Sequence, residues 1–480
     1  MAEITSTEFK SELLTEARVS LGLAVPLAVA QLAETAIPLM NSVMMGLLGI
    51  QNLAAGALGV VIFITMLCLC LGVLTGGGVL VAEAFGSNNL DRVSRITSQG
   101  LWLAVALSLP AMLLLWNYDT ILPLLGQEES NVLLTKNYLH TVLWGLPAVL
   151  SFLYLKQIAA AINFPQFGMV IIVVSLLLNV PVNYILMFGY LGFPALGLAG
   201  IGWGTTIVYW VSFFASVILI YFHPQSRNYH LFRYLNEFDQ ELFGKIFQIG
   251  WPTSVQLGME LAVFNITAIL MVKLGTSSLA AHEIALQTSS FFLTIPIAIS
   301  YTAMTRVGQM VGEKNYDGVM RATFVNVILN AVFAFVVAIG FEMFSQSIAI
   351  FYLDINNPDN AVAISNATTF LKLAGVYQIF YSIQRIGIGA LLGLQDTLVP
   401  MIVNILSFWG VGLGGGYLLG ITLEWGGNGL WYGLIMAPAV ASLILGVRFY
   451  LIVKEMGGDL THIPHPQLSQ REITEIKNQS

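Results

Sequence analysis

Charge is scarce in this sequence. Of 480 residues only 9% are Asp, Glu, Lys or Arg, against about 25% in an ordinary soluble domain. With 57% of residues hydrophobic, glycine not counted, the chain cannot cover a surface that meets water all round, which excludes a soluble enzyme. Cysteine is nearly absent too: Cys68 and Cys70 are the only two, and helical geometry turns side chains two positions apart about 200° from each other. A disulfide-rich secreted module and a cysteine metal pair drop out, leaving buried, inert thiols. Basic clusters are missing as well. The balance of 19 Lys+Arg against 26 Asp+Glu gives −7, with no block that would track a phosphate backbone, so nucleic acid is not a partner. No GxxxxGK(S/T) phosphate loop occurs, and His140 and His282 stand alone at outer helix ends, where they read as interfacial polar residues. No His, Asp or Ser cluster sits at catalytic spacing, so neither an enzyme nor a resident cofactor is expected.

Apolar runs are what remains. Mean hydropathy is +0.80, and runs between charge and turn clusters lie near residues 20–46, 54–80, 97–117, 137–159, 168–190, 198–221, 246–272, 280–304, 323–345, 366–393, 400–420 and 430–453. Twelve spans put both termini and the even-numbered connections on one side, which then holds 16 of the 19 basic residues, Lys156 and Arg385 among them near span ends. By the positive-inside rule that side is the cytoplasm. Glu3, Glu8, Lys10, Glu12, Glu16 and Arg18 precede the first run, which is not the basic start of a signal peptide, so the first span stays.

The chain also repeats itself. Shifted by 226 residues, Pro26–Arg95 aligns with Pro252–Arg321 without a gap, with 17 of 70 positions identical. The polar matches carry the signal: Pro26 with Pro252, Glu34 with Glu260, Gly86 with Gly312, Asn89 with Asn315, Asp91 with Asp317 and Arg95 with Arg321. Six helices is an even number, so the halves share one orientation and are related by an axis along the membrane normal. The expected fold is an all-α polytopic membrane protein of twelve transmembrane helices in two pseudo-symmetric six-helix lobes. Its expected divisions are a cytoplasmic segment 1–18, an N-terminal lobe 19–222, a linker 223–245, a C-terminal lobe 246–455 and a cytoplasmic tail 456–480. Two packed lobes can rock about a site at their interface without exposing backbone to lipid, which is the physical basis of alternating access.

Glu34 and Glu260 each lie eight residues, about 12 Å of helix, beyond a span-opening proline, which puts both inside the bilayer. An ionised acid there costs roughly 2.5–3.5 kcal/mol on the insertion scale. Such carboxylates read as ion-coupling groups that take up a proton or help ligate sodium. Asn41, Asn179, Asn183, Gln256 and Gln287 offer amides near them, and Tyr377, Gln378, Tyr381 and Gln384 form a possible aromatic and amide wall on the tenth span. These are the candidate substrate contacts, though intramembrane amides also glue helices together. Glu83 and Glu283, near span ends, read as solvated acids.

At this point the sequence resembles the multidrug and toxic compound extrusion (MATE) family of secondary transporters. The resemblance runs from about Ala17 to Val453. It rests on Asn179-Val-Pro-Val-Asn183-Tyr184 followed by Gly189, Gly192, Pro194, Gly197, Gly200 and Thr205, and on Gly46-Leu-Leu-Gly49. Further matches are Ala280-Ala281-His282-Glu283-Ile284, Thr305-Arg306-Val307-Gly308 with Gly312 and Asn315, and Gly429-Leu-Trp431-Tyr-Gly433-Leu434. The resemblance implies a V-shaped cleft between the lobes and export of organic, often cationic and aromatic, compounds across the cytoplasmic (inner) membrane in exchange for protons or sodium. It implies the seventh-helix acid role for Glu260. Two departures stand out: Asn41 replaces the first-helix aspartate of many bacterial members, and Tyr381 stands where some members have a tenth-helix acid. Glu34, two turns before Asn41, is the candidate substitute. A lipid-linked or polysaccharide flippase of the same architecture is the alternative, and the deep acids argue against its basic cleft.

Overall fold

The computed structural model describes residues 6–120, 129–222 and 229–458, and among them every regular element is helical. Residues 1–5 of the N-terminal segment, 223–228 of the linker and 459–480 of the tail lie outside the described residues. The first half contains α1 (Ser6–Leu47), α2 (Ile50–Gly86), α3 (Leu90–Trp116), α4 (residues 129–161, with a 3-10 turn at Leu143–Gly145), α5 (Pro165–Phe188) and α6 (Leu198–Phe222). The second contains α7 (Gln240–Lys273), α8 (Thr276–Gly312), α9 (Tyr316–Tyr352), α10 (Ala361–Gly393), α11 (Leu398–Thr422) and α12 (Gly426–Gly458). Eleven of these helices are long and apolar enough to cross a membrane. The exception is α10, which carries Lys372, Gln378, Gln384 and Arg385. Its polarity has to be absorbed by neighbouring helices, because lipid offers no partners.

Helix starts differ from the reading above. Pro26 and Pro252 do not open their helices but sit inside them, 20 residues after Ser6 and 12 after Gln240. Each proline removes a ladder hydrogen bond, and each marks a change of packing partner. Before Pro26, Ala24 packs with Ile299, Ala303 and Ile386 of the C-terminal half, whereas Ala30, Ala33 and Ile37 join the core of the N-terminal half. The mirror image holds for α7: Ile246 and Ile249 belong to the N-terminal core, and Val263, Leu270 and Met271 to the C-terminal one. The terminal-side halves of α1 and α7 are thus exchanged between the lobes.

The repeat reappears where α2 crosses α8. A Cβ on Gly86 would stand 2.0 Å from the Gln309 carbonyl oxygen, and one on Gly312 would stand 2.1 Å from that of Glu83. Residues 86 and 312, like 83 and 309, are 226 apart, so this crossing lies on the pseudo-two-fold axis, and only glycine lets the backbones meet. Around it runs a crossed pair of contacts. Gln395 donates to Glu83 at 2.6 Å, and Gln309 donates to Asn163 at 3.0 Å and to the Ala161 carbonyl at 2.8 Å. Asn163 (φ 63°) and Gln395 (φ 61°) occupy the same left-handed turn position after α4 and α10. Glu83 is therefore not the free solvated acid expected from its place in sequence; it is a half-buried acceptor, 3.7 Å from Arg92. Arg306 completes the closure, donating to both Glu16 oxygens at 2.7 Å and to Gln309 at 2.7 Å. Arg321 pairs with Glu12, and Asn326 donates to Ser20 at 3.2 Å. The bonds from Gln395 to Glu83 and from Gln309 to Asn163 and Ala161 join the lobes at the end where α1 begins and α12 finishes, and Glu12, Glu16 and Ser20 tie the first part of α1 to the C-terminal lobe, so the fold is closed there.

Candidate functional site

The two deep carboxylates have partners. On α7, Glu260 Oε1 accepts from Arg385 Nη2 of α10 at 2.5 Å, with side-chain exposures of 5% and 10%. The second oxygen, Oε2, is buried with no protein partner, as is Arg385 Nε. The guanidinium carbon lies 4.7 Å over the Tyr381 ring, Tyr381 is 5.4 Å from Tyr377, and Tyr377 meets Phe264 edge-on at 6.3 Å. Dispersed guanidinium charge above an aromatic face is a favourable contact once water is excluded. Gln256 is buried one turn before Glu260, on the same face of α7.

Gln384 points elsewhere, to Asn404 of α11. Just beyond Asn404 the helix widens into π turns at Leu406–Gly414, where Trp409 Nε1 donates to the Met259 carbonyl at 3.2 Å. Such turns frequently mark functional sites, and this one rests on the residue before Glu260. Nothing in the hydropathy pattern announced it.

In the N-terminal lobe Lys156 of α4 pairs with Glu34 of α1. Lys156 lies five residues before the end of α4 and Arg385 eight before the end of α10, as expected near span ends, yet each base is also the in-lobe counter-charge of a deep acid. The sequence did hold a signal. Each base interrupts an apolar run, where a lone cation costs about as much as the acids do, and each lobe has one such acid and one such base.

Asn41, Asn179 and Asn183 come together with Thr205 in a closed, buried cluster. Asn183 Nδ2 donates to Asn41 Oδ1 at 2.8 Å and to Asn179 Oδ1 at 3.0 Å, while Asn41 and Asn179 donate to Thr205 Oγ1 at 3.3 and 3.4 Å. The cluster is uncharged and bonded within itself except at Asn183 Oδ1, which is buried with no protein partner. Gln287 is exposed on α8 and joins neither group. His282, expected as an interfacial polar residue, is fully buried with its ring 5.6 Å from that of Trp431. Among the described residues no group of three or more His, Cys, Asp or Glu could hold a metal.

A family model described as MatE matches residues 26–185 and again 252–418, starting at the two repeat prolines. The chain belongs to the MATE family. It is 33% identical to the "Probable multidrug resistance protein NorM" of Synechocystis sp., over 94% of this chain and 98% of that protein. It is 31% identical to the "Multidrug resistance protein NorM" of Aliivibrio fischeri, over 89% and 92%. Among solved structures it resembles the eukaryotic MATE transporter AtDTX14, with TM-score 0.82 and 18% identity over 92% of this chain and 98% of that one. A MATE protein in a bent conformation gives 0.84 at 16% identity, over 92% and 96%. The MATE fold of this chain, a multi-pass helical membrane transporter, therefore agrees with the architecture read from the repeat.

Proposed function

We propose that this transporter exports organic compounds, aromatic cations among them, across the cytoplasmic membrane in exchange for protons, with both termini in the cytoplasm. The observation that carries the reading is the buried Glu260, bonded to Arg385 through one oxygen and with the other unpartnered. The ion pair is neutral as it stands. It accepts one further positive charge at Oε2, from a proton or from a cargo cation, and cannot hold both. Competition for one oxygen is what an exchanger requires, because each ligand leaves only when the other arrives. A proton fits this site better than sodium: it leaves the Nη2–H···Oε1 bond in place, whereas sodium would seek several oxygens beside a guanidinium. The neutral amide cluster around Asn41 supplies no charge for sodium either. Names of the NorM relatives support multidrug cargo, and Lys10, Arg18, Arg92, Arg95, Arg233, Lys245, Lys314, Arg321, Arg448 and Lys454 at the terminal end support the orientation. In that orientation the closed end of the fold faces the cytoplasm. The flippase alternative draws no support from Lys156 and Arg385, since each is neutralised by its acid.

The test is efflux of a fluorescent organic cation from cells lacking their own pumps, with proton and sodium gradients imposed separately. An inward proton gradient is expected to drive efflux and a sodium gradient alone to leave it at background. Efflux driven by sodium alone contradicts the proton reading.

A further inference from the structure

The lobes carry equivalent acid–base pairs. Glu34 and Glu260 are repeat mates 226 positions apart. Their bases lie on helices in equivalent positions, the fourth of each lobe. Measured from the matching left-handed residues Asn163 and Gln395, Lys156 is seven residues back and Arg385 ten. The two bases therefore differ by three residues, less than one helical turn. Packing alone needs no such duplication, and a buried ion pair is a poor source of stability compared with apolar residues of the same volume. The side chains that feel the Glu34 charge come from three other helices: the thiol of Cys68 on α2 and the phenols of Tyr209 on α6 and Tyr301 on α8. Tyr301 also feels Arg385, so it lies between the two pairs.

We propose that Glu34 and Lys156 form a second ion-exchange site, with Lys156 the positioning residue that holds the carboxylate, so that two protons enter for each cargo molecule exported. The inference rests on the proton exchange assigned to Glu260. The site differs from its counterpart in two ways. With side-chain exposures of 20% for Glu34 and 12% for Lys156 it is less enclosed by protein than the Glu260 pair. Its base is a lysine rather than an arginine, and the uptake step is the same in kind: an O–H bond of hydronium breaks, an Oε–H bond forms on Glu34, and the pair goes from neutral to singly positive while Lys156 keeps its own protons.

The number of protons is read from the gradient at which transport stops. The full chain is reconstituted in vesicles with the membrane potential clamped at zero, and ethidium is the cargo. At two protons per cation, a tenfold proton gradient holds a roughly hundredfold ethidium gradient; at one proton it holds about tenfold, because each tenfold step is the same free energy. Wild type and Lys156→Arg are expected to reach about hundredfold, and Glu34→Gln and Lys156→Gln about tenfold. A purely structural pair would change the rate of approach and not the final ratio. A wild-type ratio near tenfold overturns the second site and leaves Glu260 standing, and this reading needs no variant to fold. An unchanged hundredfold ratio in Glu34→Gln also overturns it. No ethidium gradient at all under a proton gradient removes both readings together.

Discussion

Replacing Arg385 with glutamine is expected to lower stability by about 3–5 kcal/mol and to abolish proton-driven export, because it strands a carboxylate that is 5% exposed among Tyr377, Tyr381 and Phe264. The loss comes from desolvation more than from the missing contact. A lone buried charge has no route back to water, whereas the pair repays part of that cost through its charge-assisted hydrogen bond and the ring beneath it. The double variant Glu260→Leu with Arg385→Met separates the two roles. With both charges gone and volume kept, stability is expected to return to within about 1–2 kcal/mol of wild type, while transport stays at background. Thermal unfolding in detergent reads the first quantity and vesicle efflux the second. A double variant that still transports would show that the pair only packs.

The second large effect concerns the closed end. Arg306 binds both oxygens of Glu16, with side-chain exposures of 10% and 7%, and Glu16 lies on the half of α1 that packs against the C-terminal lobe. Arg306 also orients Gln309, which reaches across to Asn163 and the Ala161 carbonyl. Arg306→Met removes the bidentate pair and frees Gln309 at once. It is expected to shift the lobes toward opening at the terminal end by about tenfold in population, since the bonds that Gln309 makes to Asn163 and the Ala161 carbonyl cross between the lobes and each contributes about 1 kcal/mol. A cysteine placed at Val79, fully buried against Met304 and Leu392 of the C-terminal half, with Cys68 and Cys70 replaced by alanine, reports the shift. Its labelling by a polar maleimide from the terminal side should rise by about the same factor. Unchanged labelling would mean that the glycine crossing of α2 and α8 holds the end shut without Arg306.

Much of the fold was legible because membrane physics leaves few options. Twelve apolar runs, the side preference of basic residues and the 226-residue repeat each constrain the chain independently, and the repeat pairs Gly86 with Gly312, which the structure places together where α2 crosses α8. Boundaries were less legible: the helix of residue 26 continues back to Ser6, since a proline inside a helix looks in sequence like a proline that opens one. The site was half legible. Depth marked Glu260 and Glu34 as costly and so as functional, but the same argument applied to Lys156 and Arg385 and was outweighed by their proximity to span ends in a hydropathy reading. Pairing between helices distant in sequence leaves no local trace. Asn41, Asn179 and Asn183 do gather in one place with Thr205, and their hydrogen bonds run among themselves except at the buried Asn183 Oδ1. The π turns of α11 depend on close approach of glycines to α12, visible only once the two helices are side by side.

If cargo and proton compete for one carboxylate, movement of either drives the other. The most direct measurement is proton movement driven by cargo alone. Vesicles containing the full chain and a pH-sensitive dye are given an ethidium gradient with no pH, sodium or electrical gradient imposed. The account predicts proton flux opposite to ethidium in wild type, reduced to background in Glu260→Gln. Undiminished counter-flux of protons in a well-folded Glu260→Gln variant would contradict it.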